Sequence, residues 1–430
     1  MSVIKNKEEL CSENTELRKD ALAILEAGLA AIDTGRILRQ KIKLEEGALN
    51  IDGQKVPIPQ RIFFVGVGKC ALDGARVIED ILGDHLTQGM VIDVRAGILQ
   101  KIKSYVGTHP YPSEANIRAT QEILKMVDGV TPEDLVLVLV SGGGSSLLCS
   151  PHQLSPEDFA KITEELNEKG ADIYELNTVR KHLSNVHGGG LAKLLFPARI
   201  VSLIFSDVLG NDISVVSSGP TVPDKTTMED AKNVLEKYGV NVDPSVLIET
   251  PKEEKYFANT HNFLTVSNID ALSAIKSEAE RLGYKATIET ETLSGNATKV
   301  GREIAQREIP SRTCLIFGGE TTVAIDPRYA SGGAHPGRGG RNQELALSAL
   351  PYVREGALLC VLASDGFDNT DHAGAIADKF ILDKARNFGL DAEKFLATND
   401  SYNFWESVGG AIYTGRLGSN VSDLVILITK

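Results

Sequence analysis

The chain repeats one local event. A continuous apolar run of strand length stops in glycine and polar residues, and a helix-like stretch follows. The runs are RIFFVGVG (61–68), DLVLVLV (134–140), ARIVSLIF (198–205), RTCLIFGG (312–319), ALLCVLAS (357–364) and DLVILIT (423–429). A strand with one wet face alternates apolar and polar residues. An unbroken apolar strand is buried on both faces, as in a parallel sheet flanked by helices. Helical segments around 71–82, 115–128 and 341–350 supply the crossovers, so the fold class expected is α/β.

At 430 residues the chain exceeds the size at which one core stops growing, and two domains are expected. The charged stretch ETPKEEKYFANTHN (249–262) is the candidate connection, giving domains 1–250 and 251–430. The alternative is one large sheet with an insertion. A 42% hydrophobic, 24% charged composition supplies full cores and excludes disorder. The net charge of −13 excludes a sequence-independent grip on nucleic acid but leaves anionic substrates open. Five scattered cysteines without a CxxC pair read as reduced thiols, and no apolar run approaches the ~18 residues of a membrane span. A charged N-terminal stretch without an apolar core adds to this, and the expected location is cytoplasmic, with no membrane partner.

Open parallel sheets bind ligands beyond the carboxyl ends of their strands. Five of the six runs deliver polar residues there: Lys69, SGGGSS (141–146), Ser206-Asp207, Glu320 and Ser364-Asp365. Each alone also fits ordinary turn chemistry. The three glycines Gly142, Gly143 and Gly144 between Ser141 and Ser145 let the backbone approach an anion, without P-loop spacing. Lys69, at a strand-to-helix junction, suits a phosphoryl oxygen. LNTVRKHLSNVHGGGLA (176–192) gathers Arg180, Lys181, His182 and His187, and Arg180 offers a fork to carboxylate or phosphate. Asp207 and Asp212 are candidate Mg²⁺ ligands, with capping of the next segment as the competing role of Asp212. GRGGRNQELAL (337–347) places Arg338 and Arg341 on a bendable backbone, and SDGFDNTDHAGAIAD (364–378) adds Asp365, Asp368 and Asp371 without EF-hand spacing.

The ordered set VGVGK, THPYPSEAN, SGGGSSLL, LNTVRKHLSNVHGGGLA, SDV-G-D with SSGPTVPD, GGETTV, GRGGRNQELAL, SDGFDNTDHAGA and TGRLGSNVSD resembles the bacterial-type glycerate 2-kinase family, whose members have also been called hydroxypyruvate reductases. The likeness spans residues 20 to 428. It implies a Rossmann-like N-terminal parallel-sheet domain, a C-terminal α/β domain with a mixed sheet, and a site in the cleft between them. It implies ATP, Mg²⁺ or another divalent cation, and D-glycerate phosphorylated at its 2-hydroxyl. Lys69, Arg341 and Asp207 carry over as catalytic. Gly66, Gly68, Ser141, Gly142, Gly143, Gly144, Ser145, Arg180, Glu320, Asn342 and Asp365 carry over as ligands of nucleotide, phosphate or substrate. Asn211, Phe317, DNTDHAGA and TGRLGSN depart from the family pattern, which keeps a related small sugar acid open as acceptor. An NAD(P)H-dependent hydroxypyruvate reductase is the rival; it requires a dinucleotide fingerprint with an acidic ribose partner, which this reading does not find. A homodimer is one assembly open to the chain. Lys69→Ala and Arg341→Ala are each expected to lower turnover while leaving the fold intact.

Overall fold

A computed structural model describes residues 2–12, 15–325 and 337–430. It divides into two compact units, one of residues 34–266 and one of residues 1–33 with 267–430.

The 34–266 unit opens with a small antiparallel sheet of β1 (Ile42–Glu45), β2 (Ala48–Ile51) and β3 (Gln54–Pro57). Its main sheet contains β4 (Arg61–Val67), β5 (Leu86–Asp93), β6 (Ile102–Val106), β7 (Asp134–Val140), β8 (Arg199–Phe205) and β9 (Thr260–Val266). The spatial order is β6-β5-β4-β7-β8-β9, and every neighbouring pair is parallel. Counted along the chain that is 3-2-1-4-5-6, the order of a Rossmann sheet. The expected parallel sheet is therefore present. The residues of β7 and all but the first of β4 and β8 are buried, as their unbroken apolar sequences require. The edge strands β6 and β9 mix buried and exposed positions, which is why no apolar run marks them.

The other unit holds β10 (Lys285–Leu293), β11 (Thr313–Gly319), β12 (Ala357–Ala363), β13 (Gly374–Asp378), β14 (Ala411–Ile412) and β15 (Asp423–Thr429) in the order β10-β11-β15-β12-β13-β14. Only β10 and β11 run parallel; the remaining pairs are antiparallel, so the sheet is mixed. β11, β12 and β15 are as apolar as the parallel strands because helices cover both their faces. Burial, not strand direction, writes an unbroken apolar run. One face packs on the helices Ala297–Ala305, Arg341–Ala349 and Ser401–Val408. The other carries Thr15–Ala31 and Asn268–Arg281, which also pack on each other.

The units differ from the boundary at 250/251. The charged stretch 249–262 runs into β9, whose pairing with β8 ties it to the N-terminal sheet. The first helix belongs with the C-terminal sheet. Arg18 donates from Nε and Nη2 to both oxygens of Asp378 at 2.7 and 2.9 Å, with both side chains 3% exposed. Asn6 extends the attachment, donating to the Ala411 carbonyl at 2.8 Å and accepting from the Tyr413 amide at 3.0 Å. Among the described residues no helix is long and apolar enough to cross a membrane.

Candidate active site

In a 3-2-1-4-5-6 sheet the chain turns opposite ways on leaving strands 1 and 4, and the crevice between them is where ligands bind. Here those strands are β4 and β7, which end level with each other, Val67 beside Val140. Gly68-Lys69 follows the first and Ser141–Ser145 the second, so two separate motifs become one site. The amide of Ser141 donates to the Val67 carbonyl at 2.9 Å and that of Lys69 to the Gly142 carbonyl at 3.0 Å. Gly68 sits at φ +116, and a Cβ there would lie 2.8 Å from the Ser141 carbonyl carbon. Both strain and overlap oppose any side chain, so Gly68→Ala is expected to destabilise the fold by about 3 kcal/mol, read as a shift in chemical unfolding. An unchanged midpoint would contradict that packing. Gly66 is buried within β4, where a Cβ would press Val91; it serves packing.

The SGGGS loop is fixed from several sides. Ser217 Oγ donates to the Ser141 carbonyl at 2.8 Å, and Ser145 Oγ shares a 2.9 Å bond with Ser218 Oγ. Asn116 Nδ2 donates to the Ser146 carbonyl at 2.8 Å, and Ser146 Oγ donates to the Pro110 carbonyl. Gly142 is a place for glycine because a Cβ would stand 2.8 Å from the Asp207 Cγ; at Gly144 it would stand 2.7 Å from the Ser217 Cβ. Among the described residues the amides of Gly142 and Gly143 donate to no acceptor, which leaves them for an anion.

Two cations border this loop. A Cβ on Gly143 would lie 3.5 Å from the Lys69 Cγ and 2.9 Å from His109 Cδ2. Lost hydration, then the charges of Lys69 and Arg180, push the His109 imidazole down to about 4, so at neutral pH the ring adds no charge. Neither the Lys69 ammonium nor the Arg180 guanidinium has a hydrogen-bond or carboxylate partner among the described residues. Burial lowers the pKa of Arg180. The rest of the basic run is occupied. Lys181 Nζ pairs with Asp224 at 3.0 Å, and His182 donates from Nδ1 to the Thr178 carbonyl at 2.8 Å, with Nε2 3.3 Å from Glu249. His187 is fully buried and pushed down to about 3 by burial, Arg180 and Lys181, and so is neutral. Unpaired cations beside open amides are the complement of phosphate or carboxylate.

The two acids named as metal ligands separate. Asp207 follows β8 and places its carboxylate against Gly142, beside the open amides, where one carboxylate together with phosphate oxygens suits Mg²⁺. Asp212 closes its own turn instead, accepting from the Ser214 amide at 2.9 Å and hydroxyl at 2.7 Å. Among the described residues no group of three or more His, Cys, Asp or Glu side chains is arranged to hold a metal.

The second unit has its own polar cluster. Arg341 opens the helix Arg341–Ala349 and is clamped by two carboxylates, from Nε and Nη2 to Asp423 at 2.6 and 3.0 Å and from Nη1 to Glu320 at 2.7 Å. Asn342 Nδ2 donates to Asp423 at 2.8 Å. The helix has glycine, Gly340, at its cap, and Asp368 supplies the missing carboxylate from another loop, accepting from the Asn342 and Gln343 amides at 3.2 and 2.9 Å. Asp365 is not in this cluster; its carboxylate accepts from the Phe367 amide at 3.1 Å in a local turn. Burial opposes the charge on Arg341, but Asp423 and then Glu320 outweigh it and hold the guanidinium above its usual value.

Burial, then the charge of Asp423, push Asp368 up to about 7. Its ordinary value is about 3.9, so between about pH 4 and 7 the folded chain keeps a proton that the unfolded chain has lost. The stability this group contributes is complete below that window and disappears as pH rises through 7. Asp368→Asn removes the titration. Thermal unfolding from pH 5 to 8 is expected to show a decline in wild type that is shallower in the variant; equal slopes would refute the assignment.

Residues 20–249 match a family described as a domain of unknown function, DUF4147, and residues 313–423 match the MOFRL family. A glycerate 2-kinase of Pyrococcus horikoshii is 38% identical, covering 96% of this chain and 97% of its own. The chain belongs to the glycerate 2-kinase family. A D-glycerate 2-kinase of Thermotoga maritima is also 38% identical, over 95% of this chain and 98% of its own. The crystal structure of a glycerate kinase from Thermotoga maritima superposes with a TM-score of 0.84 at 37% identity, covering 96% of this chain and 99% of that one.

In this family member three features escape a reading of strand ends. Asp423 opens β15, which runs antiparallel to β11 and β12; its amino end therefore lies beside their carboxyl ends, level with Gly319 and Ala363. The signal in the sequence is an acid heading an otherwise apolar strand. His109 is carried by the THPYPSEAN segment, which ties itself to the glycine loop through Asn116. Finally, Gly66-Val67-Gly68-Lys69-Cys70-Ala71 does fit the G-x-G-x-x-A fingerprint, with Asp93 at the end of β5 where a ribose-binding acid stands. The fingerprint is thus present in form, contrary to expectation. Its acid is spent within the protein: Asp93 is fully buried, accepting from the Leu72 amide at 3.0 Å and from the Arg95 amide at 3.0 Å. The Asp93 carboxylate is therefore not left for a dinucleotide ribose.

Proposed function

We propose that this chain transfers the γ-phosphoryl group of ATP to the 2-hydroxyl of D-glycerate, giving 2-phosphoglycerate and ADP. The observation that carries the reading is the pair of cations, Lys69 and Arg180, which have no partner among the described residues and stand beside open glycine amides at the switch point of a Rossmann sheet. Phosphoryl transfer asks a protein for positioning and charge neutralisation more than for covalent chemistry. The Gly142 and Gly143 amides and Lys69 receive phosphate oxygens. Arg180 takes the glycerate carboxylate with its planar fork. Asp207 holds Mg²⁺, which neutralises phosphate charge when bound, and stands as the acceptor for the hydroxyl proton. Arg341 keeps the buried Asp423 as its anchor and has Nη1 on the half-exposed Glu320, a guanidinium suited to a phosphoryl oxygen.

The test is a phosphorus NMR assay of purified protein with ATP, Mg²⁺ and D-glycerate. Glycerate-dependent 2-phosphoglycerate is expected, and chelation of the divalent cation is expected to abolish it. Absence of ADP formation above the blank would sink glycerate as the acceptor. Turnover of another small sugar acid in place of D-glycerate would reassign the acceptor while keeping the transfer. NAD(P)H oxidation with hydroxypyruvate would replace the reading altogether; the spent carboxylate of Asp93 argues against it.

A further inference from the structure

His109 is set over the glycine loop by its neighbours in sequence. A Cβ on Gly143 would lie 2.9 Å from the His109 Cδ2 and 3.2 Å from its Nε2, so the Nε2 edge of the ring faces this glycine. The residue is exposed, and neither ring nitrogen has a hydrogen-bond partner among the described residues. Backbone on both sides of it is fixed. The Thr108 amide donates to Asn116 Oδ1 and the Thr108 carbonyl accepts from Asn116 Nδ2, both at 2.9 Å. The same Nδ2 donates to the Ser146 carbonyl at 2.8 Å, and Ser146 Oγ donates to the Pro110 carbonyl. The residues before and after His109 are thus tied to the loop that its ring covers.

Lys69 flanks the same glycine, its Cγ 3.5 Å from that Cβ position, and the Gly142 and Gly143 amides donate to no described acceptor. The charged groups around the ring are Lys69 after β4, Arg180 on the helix Ile173–His182, and Asp207, which follows β8 and lies against Gly142. Lost hydration, then Lys69 and Arg180, keep the ring neutral at neutral pH. A neutral imidazole still has one N–H to give, and an acceptor at the loop draws that proton to Nε2. We propose that His109 is a catalytic residue of this site, donating from Nε2–H to a phosphate oxygen held on the Gly142 and Gly143 amides beside Lys69. This rests on the kinase reading above and adds a further donor to its phosphate cradle. An anion bound there offsets the charges of Lys69 and Arg180, so it also raises the affinity of the ring for a proton.

The experiment compares wild type, His109→Gln and His109→Phe, each checked for a wild-type unfolding transition. ADP binding is measured calorimetrically without divalent cation, and KM for ATP and for D-glycerate with Mg²⁺. Histidine ring resonances are followed by NMR against pH with and without ADP, and the one missing from His109→Gln identifies this ring. Glutamine places an amide nitrogen where Nε2 stands and does not titrate; phenylalanine keeps the bulk of the ring without a donor. The His109 titration, at about 4 in the protein alone, is expected to move up by about one pH unit or more with ADP. His109→Phe is expected to weaken ADP and raise KM for ATP about tenfold, with KM for glycerate little changed, and His109→Gln to recover most of that loss. An unmoved titration, unchanged ADP binding by His109→Phe, a glutamine variant no better than phenylalanine, or a change confined to KM for glycerate overturns the assignment. If wild type binds ADP without phosphorylating glycerate, the acceptor reading fails, and a titration moved by ADP still supports the contact. If wild type binds no ADP, both fall.

Discussion

Replacing Lys69 with alanine is expected to lower kcat by about 10³-fold while leaving the unfolding transition within about 0.5 kcal/mol of wild type. The two halves of that expectation have separate grounds. The loss of turnover follows from removing a cation beside amides that donate to no acceptor among the described residues. The preserved stability follows because the ammonium has no partner among the described residues to lose. What holds this junction together is backbone, the Lys69 amide on the Gly142 carbonyl at 3.0 Å and the Lys69 carbonyl accepting from Arg95 at 3.1 Å, and alanine keeps both. Turnover near wild type would remove Lys69 from the site. A large fall in stability would mean that the side chain is structural.

Arg341→Ala is expected to do more than the sequence implies: abolish turnover and also destabilise the second unit by about 3–5 kcal/mol. The guanidinium neutralises Asp423, whose side chain is only 3% exposed, so its removal leaves a buried carboxylate uncompensated. Burial already pushes that acid up even with Arg341 beside it. An intact fold is therefore expected of Lys69→Ala and not of Arg341→Ala. A double variant separates the two effects. Arg341→Ala with Asp423→Asn removes both charges and is expected to recover most of the lost stability without recovering activity. If stability does not return, the carboxylate is not the cause of the loss; if activity returns with it, Arg341 acts only as a structural partner.

Much of the first unit was legible because two independent signals agree there. Unbroken apolar runs announce strands buried on both faces, and Gly68-Lys69 and SGGGSS stand at the ends of β4 and β7. The second unit was less legible. β11, β12 and β15 look like parallel strands, and a search confined to carboxyl ends finds Glu320 and Asp365 but passes over Asp423 at the amino end of an antiparallel strand. Asp212 and Asp365 were indistinguishable from ligands by residue type; each closes a turn of its own chain. The first helix, with ordinary amphipathic periodicity, carries no mark of its partner. Arg18 finds Asp378 across 360 positions of sequence.

The sequence by itself determined what local chemistry determines: which unbroken apolar runs are strands, where glycine must allow close approach, and which ordered motifs identify the family. Each of these depends on neighbours a few residues apart. Only the tertiary structure decided which charges are spent and which are open. Lys181 is neutralised by Asp224, far away in the chain, and Asp93 is taken up by the Leu72 amide and by Arg95, while Lys69 and Arg180 have no partner among the described residues. Sheet direction was decided at the same level, because an apolar strand is equally buried whichever way it runs. Charge pairing and strand direction depend on contacts that exist only once distant segments have packed.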